Sequence, residues 1–295
     1  MNGRKWRALK SKSLQCCFFP ATLLFILVMC VTALNAQTSS DKDIRKQLEE
    51  KLKNTTLIIR HFYSGNNLKY DSEGALSKGG NPGTWTLNAY FEPEKINLTK
   101  KSIILSGKRI FWSYDDSQNA PRLFRDSGNT KIEISRSSEQ KDMSGIMTSL
   151  LTVFHKNGES LEDYVPPYWK NIIKANFDVK LTQRPKPPGS MLTSMPPAPT
   201  NVARVDFTPP VVRNMPKPDY TEEARAVRLN GIIVFSVVID EDGNVKVTDI
   251  IKPLGMGLDD KSVRNIEENW EFSPAMRNGV PVSMDSVIEF QFKLL

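Results

Sequence analysis

Two histidines, the adjacent acids Glu49/Glu50 and Asp115/Asp116, a glycine-rich turn and an acidic turn are groupings in this chain whose side chains could do chemistry. His61 and His155 are the 2 histidines of the sequence. They stand far apart without neighbouring ligand types, which argues against a zinc site and leaves a histidine-dependent triad few members. His61 sits in Ile59-Arg60-His61-Phe62-Tyr63, where a partly exposed strand position accounts for it. Glu49/Glu50 and Asp115/Asp116 are immediate neighbours, and neighbouring side chains diverge on both helices and strands, so they read as solvated charges rather than an acid/base pair. Gly79-Gly80-Asn81-Pro82-Gly83 lacks the Lys-Ser/Thr and the following helix of a phosphate loop. Asp240-Glu241-Asp242-Gly243-Asn244 is too short for a calcium loop and lacks its later Glu. Both read as turns, and no catalytic residue, metal or cofactor is expected.

The elements of the last eighty or so residues are more legible. Thr221 is an N-cap candidate, with Glu222 and Glu223 placed to favour the first turn of a short helix ending near Asn230-Gly231. Ile232-Ile-Val-Phe-Ser-Val-Val-Ile239 and Val245-Lys-Val-Thr-Asp-Ile-Ile251 flank the Asp-Gly turn, which makes them a β-hairpin. A second helix opens at Leu258-Asp259-Asp260, with Val263, Ile266 and Trp270 on one face. A last strand alternates apolar and polar residues from Val287 to Leu294. Trp270 and Phe272 could form an exposed platform, but their place at a helix end beside Pro274 suits core packing better.

With those residues in view, 216–295 resembles the C-terminal domain of TonB proteins, which engage outer-membrane receptors in Gram-negative bacteria. The carriers are Pro218 and Tyr220, Gly231 before the first strand, Asp240 to Gly243 in the hairpin, Trp270-x-Phe272-x-Pro274-Ala275, and Gly279-x-Pro281-Val282. Where the family often has Tyr-Pro at the opening, Tyr220 is followed by Thr221. The resemblance implies an α+β domain ordered helix, strand, strand, helix, strand with an antiparallel sheet, over 218–295. It also implies a mechanism. The last strand would accept the TonB box of an outer-membrane receptor by strand addition, through Ser286, Val287, Ile288, Glu289, Phe290, Gln291, Phe292 and Lys293. Glu289, Gln291 and Lys293 are expected on the polar face, with Ile288, Phe290 and Phe292 inward.

The other end carries Arg4, Lys5, Arg7, Lys10 and Lys12 before an apolar run over 16–34. This is an export signal over 1–36, and its length fits either a cleaved signal peptide or a signal anchor with the basic end in the cytoplasm. Both place the bulk in the periplasm, anchored in the inner membrane or released. Cys16, Cys17 and Cys30 are the 3 cysteines and all lie in this leader, so disulfide chemistry is not expected beyond it. The net charge of +7 includes five leader cations; the remainder, 7 − 5 = +2, offers no case for nucleic acid. Energy-transducing TonB proteins resemble one another in a Ser/His patch in the membrane helix that engages ExbB and ExbD. Here 16–34 offers only Thr22 and Thr32 with Pro20, and no His. Two functions therefore stay open, an energy transducer and a secreted or periplasmic protein-binding module without a motor. A homodimer through an exposed edge strand also stays open.

Between the ends, ten of the 19 prolines fall from Pro185 to Pro218. A Pro-rich linker over 181–217 is expected, extended and unable to form helix or sheet, reaching roughly 110 Å. Residues 41–180 are expected to form a separate small α+β or barrel-like domain of illegible function. A helix is expected at 43–52, strands at 56–63, 85–91, 102–106, 109–114 and 130–135, and helices at 143–154 and 168–177. An enzymatic role for this part would need a ligand buried among Trp85, Tyr90, Phe111 and Trp112.

Overall fold

The computed structural model describes residues 41–118, 120–137, 142–156, 159–177 and 206–294. The leader, and the Pro-rich linker as far as residue 205, lie outside the described residues. Helix α1 (Asp41–Leu52) opens the described part, with Asp41 and Asp43 in its first turn and Ile44, Leu48 and Leu52 buried. The four-residue spacing puts those three on one face.

Strands β1 (Leu57–Ile58), β2 (Asn67–Tyr70) and β3 (Leu76–Lys78) precede a helical turn, α2 (Trp85–Asn88). Then come β4 (Tyr90–Leu98), β5 (Ser102–Asp115), β6 (Ala120–Arg125) and β7 (Thr130–Ser135). They form a 7-stranded sheet in the order β1-β4-β5-β7-β2-β3, with β6 paired to β5. β2 runs parallel to β7 and the other pairings are antiparallel. Helix α3 (Met143–Val153) follows, its Asp142 cap accepting from the Gly145 amide. A 3-10 turn (Pro167–Trp169) leads into α4 (Lys170–Phe177).

Three expectations for this part need correction. Residues 85–91 were expected as one strand, yet the chain makes a helical turn first: the Asn88 side-chain amide donates to the Thr84 carbonyl at 2.9 Å, and the Ala89 amide to Trp85. Burial of Trp85 overrides its strand propensity. Residues 102–106 and 109–114 are one continuous strand, because β4 pairs across the intervening Gly107 and Lys108. Of 56–63 only Leu57 and Ile58 are paired as a strand. Beyond them Arg60 donates its amide to Val153, and the strand bends toward the end of α3.

The C-terminal part contains β8 (Phe207–Thr208), β9 (Val211–Asn214), α5 (Glu222–Ala226), β10 (Gly231–Ile239), β11 (Val245–Lys252), α6 (Leu258–Asn269), β12 (Glu271–Ser273), β13 (Ala275–Arg277), β14 (Val280–Val282) and β15 (Met284–Phe292). The expected order of helix, strand, strand, helix, strand is present, with an antiparallel sheet β11-β10-β15. The end of the Pro-rich segment is more ordered than expected. β9 pairs with β12 and β8 with β13. Pro209 and Pro210 fall between these two short strands, where no ladder amide is needed, and Val211 and Val212 suit an extended backbone.

β5 is the spine of the core. Its first half places Ile103 and Leu105 among Ile44, Leu48 and Ile146 from α1 and α3. Its second half places Ile110, Trp112 and Tyr114 in another cluster, with Trp85 and Trp169 and also with Ile233, Phe235, Val247, Met256 and Leu258 of the C-terminal part. The rings of Trp85 and Trp112 lie 5.1 Å apart, and Trp85 meets Trp169 edge-on at 5.1 Å. The ranges 41–180 and 218–295, expected as separate domains, therefore share a hydrophobic cluster within one compact unit.

Hydrogen bonds close this junction. The Tyr114 amide donates to the Leu254 carbonyl at 2.9 Å, and the Met256 amide to the Trp112 carbonyl at 2.8 Å. Gly255 between them has φ of 87°, and a Cβ there would stand 2.5 Å from the Trp112 carbonyl oxygen. Only glycine meets both demands. Gly255→Ala is expected to destabilise the chain by about 1–3 kcal/mol, read from urea unfolding, and wild type is expected to lose both halves in a single transition. Two well-separated transitions in wild type would contradict the shared core.

Candidate functional site

β15 pairs with β10 along its full length, from Met284 opposite Ile239 to Phe292 opposite Gly231. No strand pairs with its other side among the described residues. A strand paired on one side presents the N–H and C=O groups of alternate residues outward. The far side of the sheet is occupied: the 3-10 turn and α4 lie against β11, the Asn171 side-chain amide reaches Asp249 at 3.2 Å, and Lys252 pairs with Asp116 at 2.8 Å.

The side chains of β15 alternate as the sequence predicts. Asp285, Val287, Glu289 and Gln291 are exposed; Ser286, Ile288 and Phe290 are half-buried, and Phe292 is buried. Phe290 and Phe292 have ring centroids 4.9 Å apart, and Tyr220 meets Phe292 edge-on at 5.1 Å. Lys293 is exposed one residue beyond the strand, where the Leu294 amide donates to the Asn230 side chain at 2.8 Å. The structure thus brings seven of the eight expected edge residues into one strand and leaves Lys293 just past it.

The remaining motif residues build the frame behind that edge. Thr221 caps α5, accepting from the Ala224 amide at 3.2 Å while donating to the Met256 carbonyl at 2.8 Å. Trp270 is only 5% exposed, and its indole N–H donates to the Pro216 carbonyl at 2.9 Å. Asn265 donates to the same carbonyl and Lys261 to that of Tyr220, so α6 holds the 216–220 segment. Asp240 caps the hairpin turn by accepting the amides of Asp242 and Asn244. Gly243, with φ of 86°, lets that turn approach Phe272, whose amide donates to the Gly243 carbonyl at 3.2 Å. Gly231 begins β10, Pro274 separates β12 from β13, Ala275 is buried, and Gly279 and Pro281 lie in the β13–β14 hairpin.

Sequence reasoning missed the polar heart of the junction. Asp259 and Asp260 read as helix-opening acids, yet both are buried. Asp259 accepts the Leu254 amide at 2.8 Å and the Gly255 amide at 2.5 Å, fixing the residues that contact Trp112. Burial pushes its carboxyl up to about 7, against the pull of those two amides. Asp260 accepts from the Trp169 indole at 3.1 Å and the Tyr168 hydroxyl at 3.0 Å; burial raises it too, opposed by these donors. The Thr86 hydroxyl accepts the Gly257 amide at 2.9 Å. A glycine before paired acids at a helix start was the available signal, but it names no partner.

The two histidines, remote in sequence, converge on Tyr164, with ring centroids at 5.5 Å for His61 and 4.8 Å for His155. Glu159 lies 3.4 Å from His155 and also binds Arg60. Burial is the main force lowering the His155 basicity. No trio of His, Cys, Asp or Glu is arranged to hold a metal among the described residues. Trp85 packs against Tyr90, Trp112 and Trp169, with Phe111 half-buried against the same cluster. No helix among the described residues is long and apolar enough to cross a membrane.

Comparison with known proteins agrees with the motif reading. Residues 216–294 match the family described as Gram-negative bacterial TonB protein C-terminal. Protein TonB of Vibrio cholerae serotype O1 is 29% identical over 86 residues, an alignment covering 29% of this chain and 35% of that protein.

The buried acids give the fold a pH signature. Asp259 keeps its proton in the fold up to about 7, while an unfolded chain releases it near 3.8. The fold therefore binds the extra proton in that window. Stability from this group is full below the lower value and lost as pH rises through the upper one. Asp259→Asn removes the effect, so the stability difference between wild type and variant is expected to shrink from pH 4 to pH 7, as measured by urea unfolding across that range. A constant difference would show that Asp259 is ionised throughout.

Proposed function

We propose that this chain, a TonB-family protein by its residues 216–294, binds an extended segment of an outer-membrane receptor by strand addition at β15. The observation that carries this reading is that, among the described residues, β15 pairs on one side alone. An added strand gains backbone hydrogen bonds along that edge, and its alternate side chains meet Ser286, Ile288 and Phe290 on one face. The residues proposed to form the edge run from Ser286 to Lys293. Receptors of the TonB-dependent class are the proposed partners, and the Gram-negative envelope is the proposed site of action. If 1–36 remains as a membrane anchor, ExbB and ExbD become the proposed motor partners.

A second reading has its own support. The leader run over 16–34 contains no His and offers only Thr22 and Thr32 as hydroxyl groups, which favours a periplasmic protein-binding module with no energy coupling. The intact mass of the chain in membrane and soluble envelope fractions separates the two. A full-length membrane species supports the transducer; a soluble species beginning near residue 34 or 37 supports the module.

The edge itself is tested by proline. Gln291→Pro in the full chain, with an unchanged far-UV circular dichroism spectrum, is expected to weaken binding of a receptor's N-terminal peptide at least about tenfold, because proline removes a donor and restricts the strand. Unchanged affinity, measured by fluorescence anisotropy, would rule β15 out as the docking edge.

A further inference from the structure

The side chains along β15 bear on which peptide it takes. Asp285 and Glu289 stand exposed on the outer face with Val287 between them, 52% exposed. Ser286 and Ile288 stand on the other face, half-buried. Neither acid has an ion-pair partner among the described residues. The outer-face cations stand away from both acids: Lys246 and Lys252 are on β11, and Lys293 lies four residues past Glu289, beyond the end of β15. Val238 lies between Lys246 and Asp285, and Val234 between Lys252 and Glu289. Two strand spacings, about 10 Å, therefore separate each acid from the lysine in its row, and Lys252 is already paired with Asp116.

A strand added to a sheet edge places each residue beside one residue of the edge strand, on the same face. The neighbour of Asp285 and the neighbour of Glu289 would each face an uncompensated carboxylate. The three residues between them would face Ser286, Val287 and Ile288. We propose that β15 selects an extended segment with a cationic residue at each end of an apolar triplet, the two charges four positions apart. This rests on the reading of β15 as a peptide-docking edge. Because Asp285 and Glu289 stand symmetrically about Val287, the requirement is the same for a parallel and an antiparallel peptide. Like charges directly opposite across a ladder repel, so a segment with acids at those two places is disfavoured.

The test uses the full chain in mild detergent and three fluorescein-labelled probes: Gly-Lys-Val-Val-Val-Lys-Gly, Gly-Glu-Val-Val-Val-Glu-Gly and the N-terminal peptide of an outer-membrane receptor. The lysine probe is expected to bind about tenfold more tightly than the glutamate probe, with the gap narrowing as salt rises from about 0.05 M to about 0.5 M. The double variant Asp285→Lys, Glu289→Lys is expected to invert the order; both positions are exposed, so the core is untouched. Equal affinities, or tighter glutamate binding, with the receptor peptide still bound would overturn the charge selection and leave edge docking in place. No binding of any probe would overturn the docking reading and this inference with it.

Discussion

The packing of Trp112 and Trp169 on the Leu254–Leu258 turn is the contact on which the rest of the molecule depends. It is at once apolar, through the tryptophan cluster that also holds Met256 and Leu258, and polar, through Asp260 and the backbone pairing around Gly255. Large aromatics contribute most of the burial in small cores, and a buried acid is tolerable only where donors meet it. Asp260 has the Trp169 indole and the Tyr168 hydroxyl; Asp259 has two amides. Neither half of the unit could part from the other without leaving some of these groups unmatched.

That constraint decides which edge of the small sheet is available. The segment ending in Trp169 and α4 lies against β11 and contributes Asn171 beside Asp249. β10 is central. β15 is left with backbone groups on one side that no described strand satisfies. The alternation behind it, with Phe292 buried against Tyr220 and Val287 outward, fixes the register, since a one-residue slip would turn Phe292 to solvent. A strand with a fixed register, and with a side that no described strand pairs, is what strand addition requires.

Legibility followed the range of the interactions. The hairpin of β10 and β11 could be read from period-two alternation around an Asp-Gly turn, and α6 from the spacing of Val263, Ile266 and Trp270, because both signals are local. The Thr221 cap was readable for the same reason, though its second bond, to the Met256 carbonyl, was not. Residues 85–91 misled because Trp85, Tyr90 and Phe91 favour strands, while the turn at Trp85–Asn88 is fixed by burial against Trp112 and Trp169. The pairing of β2 with β7 joins residues more than sixty apart and leaves no local trace. Val211 and Val212 were overshadowed by surrounding prolines. Of the edge, the strand and its facing were readable; that β11 would be covered and β15 left open was not, because Asn171 and Trp169 carry no mark of their partners.

Amide hydrogen exchange of the full chain, with and without a receptor's N-terminal peptide, is the decisive test of strand addition at β15, because ladder formation slows exchange at the amides it engages. Slowing is expected to concentrate in Met284–Phe292, with the Trp112 and Leu254–Met256 amides already slow and unchanged. Slowing at Val211–Asn214 with β15 unaffected would contradict strand addition there.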